Sequence, residues 1–125
     1  MENIIVTKSE NFAVRIVNAY KYLTSEKNEY VMSKQLLRSG TSIGANVKEG
    51  IRGQSKPDFY AKFNIALKEA SETEYWLEIL YETNYMDEKL YESINSDCEE
   101  IIRLLVSITK TQNNSALRIP NSELK

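Results

Sequence analysis

The residues of this chain that could do chemistry are carboxylates, hydroxyls and a few cations, because it contains no histidine and a single cysteine, Cys98. Histidine is the commonest general base and the commonest metal ligand, so the serine and threonine hydroxyls have no imidazole partner to activate them. At about 100° per residue, the carboxylates of Glu69, Glu72, Glu74 and Glu78 spread around a helix instead of converging on a cation. The sequence therefore predicts no catalytic residue, no metal site, no cofactor and no enzymatic activity.

The four glycines lie close together, and the stretch RSGTSIGANVKEG, residues 38–50, contains three of them. A phosphate loop of the Walker A type needs a Gly-Lys dipeptide, which the chain lacks. Apolar residues instead continue through the stretch at helical spacing, which a loop would interrupt. We therefore interpret it as a helix in which Gly40 and Gly44 allow another helix to approach closely. The apolar arc of this helix comprises Leu36, Gly40, Ile43, Val47 and Ile51.

The elements that would position these side chains are four amphipathic helices joined by short connections. No segment shows the period-two alternation of a strand. Four such helices predict an all-α protein with the antiparallel up-down four-helix bundle as its architecture. The predicted helices run from the capping box Thr7–Glu10 to Ser25, from about residue 30–33 to 50–52, from the N-cap Ser55 to about 82–83, and from the N-cap Asp87 to about 111.

The composition is that of one ordinary globular domain, with 42% hydrophobic and 27% charged residues. We expect residues 1–111 to form the bundle and residues 112–125 to form a polar tail that is loosely ordered or docks elsewhere. The single cysteine favours a cytoplasmic location. The sequence shows neither the pattern of a signal peptide nor the ~18 apolar residues of a membrane span.

A polar network is predicted between the second and third helices. The side of the second helix opposite Leu36 carries small or uncharged residues in place of a typical solvent face. Glu74 projects near the core face of the third helix, where a carboxylate needs a partner. Arg38 is the candidate partner, with Ser71 in support; the alternative is that Glu74 reaches solvent from the rim of the core. The predicted network comprises Arg38, Ser42, Asn46, Glu49, Ser71 and Glu74. Within it, Arg38, Asn46, Glu49 and Glu74 are the one set of residues to inspect for a pocket.

The third helix carries more apolar surface than one core requires. Its main face is formed by residues such as Phe63, Ala70 and Leu77, and a second stripe lies roughly 60–160° away at about 100° per residue. A cluster that includes the only tryptophan indicates a subunit interface. The alternative is a wide buried face on a long central helix. The candidate interface residues are Ile65, Trp76, Ile79 and Leu80.

The net charge of −2 conceals two segments of opposite sign. The segment from Lys34 to Lys68 contains seven basic and two acidic residues, a net charge of +5. The segment from Glu69 to Glu100 contains eleven acidic residues and one lysine, a net charge of −10. The basic segment offers Lys48, Arg52 and Lys56 as candidate contacts for a nucleic acid, next to the free N–H groups that begin the third helix. The alternative is that these charges only solvate helix faces or complement a helix dipole.

Two stretches of the chain resemble a bacterial four-helix-bundle family named for proteins encoded in 23S ribosomal RNA intervening sequences. The resemblance spans residues 9–110. The pattern R-[SA]-x-x-S-I-x-x-N-[IV]-x-E-[GA] is met by Arg38, Ser39, Ser42, Ile43, Asn46, Val47, Glu49 and Gly50. The pattern K-E-A-x-E-[TS]-x-[YF]-W-L is met by Lys68, Glu69, Ala70, Glu72, Thr73, Tyr75, Trp76 and Leu77.

This resemblance implies an up-down four-helix bundle without enzymatic activity, similar to the accessory proteins of diversity-generating retroelements. Those relatives imply a ring-shaped homopentamer that binds nucleic acid. Together with the residues, this gives a first hypothesis: an oligomeric scaffold or adaptor that contacts RNA or DNA through Lys48, Arg52 and Lys56. The alternative hypothesis is a protein-binding assembly module with no nucleic-acid contact. Neither hypothesis involves a membrane.

Overall fold

The computed structural model describes residues 3–124, with side chains for residues 3–111. Each helix packs on the next one along the chain and the first packs on the last, so the predicted all-α up-down four-helix bundle is confirmed. None of the helices in this part of the chain is long and apolar enough to cross a membrane. The four helices are α1 (Ile4–Ser25), α2 (Met32–Ile51), α3 (Lys56–Glu82) and α4 (Glu88–Leu124).

The two predicted N-caps before α3 and α4 are present. Ser55 Oγ accepts the N–H of Asp58 at 3.2 Å, and Pro57 occupies the first turn of α3. Asp87 Oδ1 accepts the N–H of Leu90 at 2.8 Å. The backbone of α4 continues to Leu124 instead of ending near residue 111, and the predicted polar tail of residues 112–125 lies outside the residues whose side chains are described.

The predicted start of α1 is wrong. The helix begins at Ile4, so the proposed capping box lies inside it. The physical reason is that the apolar face extends further towards the N-terminus: Ile5 is 1% exposed and packs into the core with Phe12. Ser9, which the capping box would have placed at a helix end, is buried and donates from Oγ to the carbonyl oxygen of Val6 at 3.2 Å.

The side chain of Glu29 caps the N-terminal end of α2, which the sequence pattern did not reveal. Its carboxylate is almost buried and accepts the backbone N–H groups of Val31 at 3.2 Å, Met32 at 3.0 Å and Ser33 at 2.6 Å. Burial by itself raises the pKa of Glu29, but these hydrogen bonds together hold the pKa below its usual value. A carboxylate at this position satisfies N–H groups that otherwise have no partner within the helix.

Replacing Glu29 with glutamine is expected to lower the free energy of unfolding by about 1 kcal/mol at pH 7, the usual cost of losing a helix cap. A carboxyl whose pKa is lowered in the folded state stabilises that state above its unfolded pKa of about 4.3. This contribution is lost as the pH falls through the folded-state pKa. Urea unfolding of both proteins at pH 7 and at pH 3 checks this, because the difference should shrink at pH 3. An equal difference at both values would contradict the prediction.

Gly40 and Gly44 lie where α1 approaches α2 closely, as the helical interpretation of residues 38–50 predicted. Gly50 was expected to begin a loop, but it lies within α2 and allows a close approach of α3. A Cβ at Gly40 would lie 2.8 Å from Cγ1 and Cγ2 of Ile16 in α1, and a Cβ at Gly50 would lie 2.7 Å from the Phe63 ring in α3. Ile51 was assigned to the same apolar arc, but it is 43% exposed. It is the last residue of α2, opposite the very start of α1.

The core between the helices is a single cluster of buried apolar side chains. Every helix contributes to it at spacings of three and four residues, which is why the periodicity in the sequence located it. Its fully buried large members are Ile5, Ile16, Leu23, Leu36, Ile43, Val47, Phe63, Leu77, Leu80, Ile94, Ile101 and Leu105.

Candidate functional site

Arg38 is the centre of a polar cluster on the surface where α2 meets α3. Its Nη1 donates to Glu69 Oε1 at 3.2 Å, and its Nη2 donates to Glu72 Oε2. The indole N–H of Trp76 donates to the same Glu72 oxygen at 2.9 Å. The hydrogen bond from Arg38, with that from Trp76, lowers the pKa of Glu72, and the bond to Glu72 raises the pKa of Arg38. The cluster clamps α2 to α3 and keeps both groups ionised.

The predicted pairing of Arg38 with Glu74 is wrong. Glu69 and Glu72 project from α3 towards α2, whereas Glu74 projects towards α4 and lines a groove there with Ser71. Glu72 and Glu69 precede Glu74 by two and five residues. At about 100° per residue, these separations place Glu74 on a different side of α3. Glu74 is half-buried and lines an open groove, so the structure agrees with the alternative that it reaches solvent from the rim of the core.

The remaining members of the predicted network satisfy their hydrogen bonds locally. Ser42 Oγ donates to the carbonyl oxygen of Arg38 at 2.6 Å, and Asn46 Nδ2 donates to the carbonyl oxygen of Ser42 at 2.8 Å. Glu49 forms an ion pair with Lys62 of α3 at 2.9 Å. The six predicted residues therefore do not converge on one pocket, and they fall into an α2–α3 set and an α3–α4 set.

The three candidate nucleic-acid contacts lie together at one end of the bundle. Lys48 and Arg52 are one turn apart near the end of α2, and Lys56 is the first residue of α3. All three side chains are exposed, and none forms an ion pair with a side chain among residues 3–111. Glu49 is neutralised by Lys62, whereas Asp58 follows Lys56 in the first turn of α3 and Glu10 lines the same groove as Lys48. The arrangement is a small, accessible patch of positive charge.

The candidate subunit interface is only partly accessible to solvent. Ile65 is 40% exposed, and Trp76 and Ile79 are half-buried. The neighbouring Tyr75 is 53% exposed and makes an edge contact with the Trp76 ring at 5.0 Å between centroids. Leu80 was assigned to this interface wrongly, because it is fully buried in the core of its own subunit. It lies on the α2-facing side of α3, one turn from Leu77.

Several structural residues escaped the sequence analysis because their partners are far away along the chain. The hydroxyls of Ser39 and Thr73 lie 3.0 Å apart, both fully buried between α2 and α3. Arg15 of α1 binds Asp97 of α4 at 2.8 Å and Ser93 Oγ at 2.6 Å. Small polar residues on otherwise apolar arcs were the available signal for the first pair. A single sequence carries no signal for the second.

Cys98 and the carboxylates of α3 and α4 do not form a reactive centre. Burial, followed by the nearby Glu74, raises the pKa of the Cys98 thiol to about 12, so it is not a thiolate at neutral pH. Burial and then Glu78 also raise the pKa of Tyr91. Among the described residues no group of three metal-binding side chains is close enough to hold an ion.

Fold and surface together define an up-down four-helix bundle with an exposed apolar stripe on α3 and a patch of three cations that form no ion pair within residues 3–111. The sequence model of the 23S rRNA-intervening sequence proteins matches residues 1–107. The chain therefore belongs to the 23S rRNA-intervening sequence protein family, as the two sequence patterns predicted.

The comparison with solved structures supports this assignment. The chain is similar to a protein of unknown function from the S23 ribosomal protein family of Bacteroides thetaiotaomicron, with 61% sequence identity and a TM-score of 0.84. The match covers 85% of this chain and 98% of the other one. No curated protein matched.

Proposed function

We propose that this protein is a non-enzymatic scaffold that assembles with copies of itself and contacts RNA or DNA through Lys48, Arg52 and Lys56. The observation that carries the nucleic-acid contact is the position of these three exposed cations at one end of the bundle, without ion-pair partners among residues 3–111. Cations that are not already paired are available to replace the counterions of a phosphate backbone.

The carboxylates towards the end of α3 are compatible with this proposal because they lie far from Lys56. Glu78 is 22 residues after Lys56 on the same helix, which is about 33 Å at 1.5 Å per residue. The Debye length is only about 8 Å at physiological salt. Repulsion between Glu78 and a phosphate bound near Lys56 is therefore largely screened, and the net charge of the whole chain is a poor guide to this surface.

Self-assembly is supported by the solvent-exposed apolar stripe on α3, with Ile65 40% and Tyr75 53% exposed beside the half-buried Trp76. We propose a homopentamer, the subunit number implied by the resemblance to retroelement accessory proteins. A ring would present the three cations once per subunit, so that contacts too weak to hold a nucleic acid singly act together. The cytoplasm, where such partners occur, is the proposed location.

Replacing Lys48, Arg52 and Lys56 together with glutamate is expected to weaken the binding of a structured RNA or of duplex DNA strongly. Filter binding across a series of salt concentrations measures this. The wild type should show a linear decrease of log K with log salt, and losing three phosphate contacts should reduce that slope by about 2–3 units per subunit engaged. The matched control replaces Lys21, Lys27 and Lys89, which are also exposed, and should retain binding. Equal effects of both triple variants would contradict the proposal.

The second candidate function is a protein-binding assembly module, which the groove between α3 and α4 favours. Glu74, Glu78 and Glu99 line this groove beside Tyr91 and Asn95. The Oδ1 atom of Asn95 is buried and has no hydrogen-bond partner among the described residues. Such a surface would suit a basic protein segment. This candidate predicts an oligomer that shows no salt-dependent binding to nucleic acid, so the filter-binding series separates the two functions.

A further inference from the structure

A polar groove of about 400 Å³ lies on the outside of the bundle between α3 and α4. Its lining combines carboxylates, an amide, hydroxyls and aromatic rings, and no lysine or arginine contributes to it. None of its carboxylates forms an ion pair with a side chain among residues 3–111. The groove is lined by Ser71, Glu74, Tyr75, Glu78, Tyr91, Asn95 and Glu99.

Asn95 gives an observation that is independent of the carboxylates. The residue is half-buried and lines the groove, and its Oδ1 atom is buried without a hydrogen-bond partner among the described residues. A buried amide oxygen normally accepts a hydrogen bond, and leaving it without one costs free energy. A donor bound in the groove would supply that hydrogen bond, so the groove favours a ligand with hydrogen-bond donors.

The carboxylates make the groove a place where positive charge is favoured. Burial, followed by Glu78 and Glu74, raises the pKa of the Tyr91 phenol, because nearby carboxylates disfavour a further negative charge. The same field attracts a cation. The Tyr91 ring, which stacks on Tyr81 at 4.5 Å between centroids, adds an aromatic surface on which ammonium groups and methylenes can lie.

The lining groups are spread along the groove and do not converge on a point. Glu78 follows Ser71 by seven residues on α3, which is about 10 Å at 1.5 Å per residue. On α4 the lining residues recur every four residues, about 6 Å apart. The two helices are antiparallel, with Cys98 Sγ 3.5 Å from the carbonyl oxygen of Ala70. This register gives three levels along the groove, namely Ser71 with Glu99, Glu74 with Asn95, and Glu78 with Tyr91.

This spacing selects between classes of cation. A single metal ion needs several ligands at one point, and no group of three metal-binding side chains is close enough among the described residues. A linear amine whose nitrogens are separated by about four methylenes spans about one helical turn between nitrogens. Such a chain can therefore place one ammonium group at each level of the groove.

We propose that the α3–α4 groove binds a linear organic polyamine, with an ammonium group at each of its three levels. Ammonium groups donate hydrogen bonds and accept none, which matches carboxylates and an amide oxygen without a partner. The groove does not include Lys48, Arg52 or Lys56, so this binding is independent of the proposed nucleic-acid contact. It assigns a small ligand to the groove that the second candidate function assigns to a protein segment.

Calorimetric titration of the full chain with the triamine spermidine tests this site. The wild type should bind about one triamine per chain, more tightly than it binds a diamine or Mg²⁺ at the same ionic strength. Asn95→Leu removes the unpaired oxygen without changing the charge. It should weaken spermidine binding at least about 10-fold, because a hydrogen bond from a charged donor is lost. Circular dichroism should show that this variant is folded.

Glu74→Gln and Glu92→Gln form a charge-matched pair of variants. Each removes one negative charge, but Glu92 is exposed on α4 and does not line the groove. Glu74→Gln should weaken spermidine binding at least about 10-fold, because a charge-assisted hydrogen bond is lost. Glu92→Gln should weaken it less than about 2-fold, because charges outside the groove act through screening solvent.

Three results would overturn the proposal. Equal weakening by Glu74→Gln and Glu92→Gln would show diffuse attraction to an acidic surface in place of a site. Spermidine binding that Asn95→Leu leaves unchanged, or that is no tighter than Mg²⁺ binding, would show that the groove does not select a polyamine. A lysine-rich peptide that binds with the expected pattern of variants, while spermidine does not bind, would favour the protein-binding module.

Discussion

Replacing Gly40 with leucine is expected to lower the free energy of unfolding by about 3 kcal/mol, the upper range for forcing extra carbons into a packed core. Even the first added atom, Cβ, would lie 2.8 Å from two carbons of Ile16. Ile16 is fully buried and β-branched, so it has no alternative rotamer into which it can move freely. The α1–α2 pair must separate or the chain must unfold, and urea unfolding measures the loss.

Alanine at the same position isolates the steric cause. An alanine in a helix is about 1 kcal/mol more favourable than glycine, so Gly40→Ala would be stabilising if space were available. We expect it to be destabilising. Combining it with Ile16→Ala should recover at least about 1 kcal/mol relative to the sum of the two single changes, because the new methyl group occupies space that Ile16 vacates. A Gly40→Ala protein more stable than the wild type would show that the close approach of α1 is not limiting.

The second large effect is expected at the exposed apolar stripe of α3. Trp76→Glu should convert the proposed oligomer into a monomer, as measured by light scattering over a range of concentrations. An ionised carboxylate buried in an apolar contact has no partner to offset its desolvation. Arg38 cannot serve as that partner because it already forms an ion pair with Glu72. Because each subunit of the proposed ring would make the contact twice, the loss is expected to be complete and not partial.

The matched control for this stripe is Val106→Glu on α4. Val106 is 44% exposed, against 40% for Ile65 on the stripe, so the two positions carry similar apolar surface. Val106→Glu should leave the mass unchanged, and Ile65→Glu should lower it as Trp76→Glu does. Thermal melting should show all three variants folded. If Trp76→Glu keeps the wild-type mass, the stripe is a free surface and not a subunit interface.

The architecture could be predicted from the sequence because it depends on local periodicity. Apolar residues at spacings of three and four identified every helix, and short polar signals identified the caps Ser55 and Asp87. The start of α1 was missed because a capping box at Thr7 is only a local preference. Burial of Ile5 against the other helices contributes more than such a cap and extends the helix past it.

The site was less predictable because a helical angle gives the direction of a side chain but not the distance to its partner. Glu74 and Glu72 are both plausible partners for Arg38 by residue type, and only the position of α2 beside α3 selects Glu72. Leu80 shows the same limit from the apolar side. Its angle from the main face was correct, but α2 covers that side of α3 and removes Leu80 from any surface.

The sequence by itself determined that this protein is an all-α bundle, that residues 38–50 form a helix, and which family the chain belongs to. These conclusions follow from residue types at fixed spacings, which need no knowledge of neighbouring helices. Only the tertiary structure decided which side of each helix is covered. That decision separates the apolar stripe of α3 from the core and pairs Arg38 with Glu69 and Glu72. It also leaves Lys48, Arg52 and Lys56 without an ion-pair partner among residues 3–111, because exposure and ion pairing depend on the helices packed alongside.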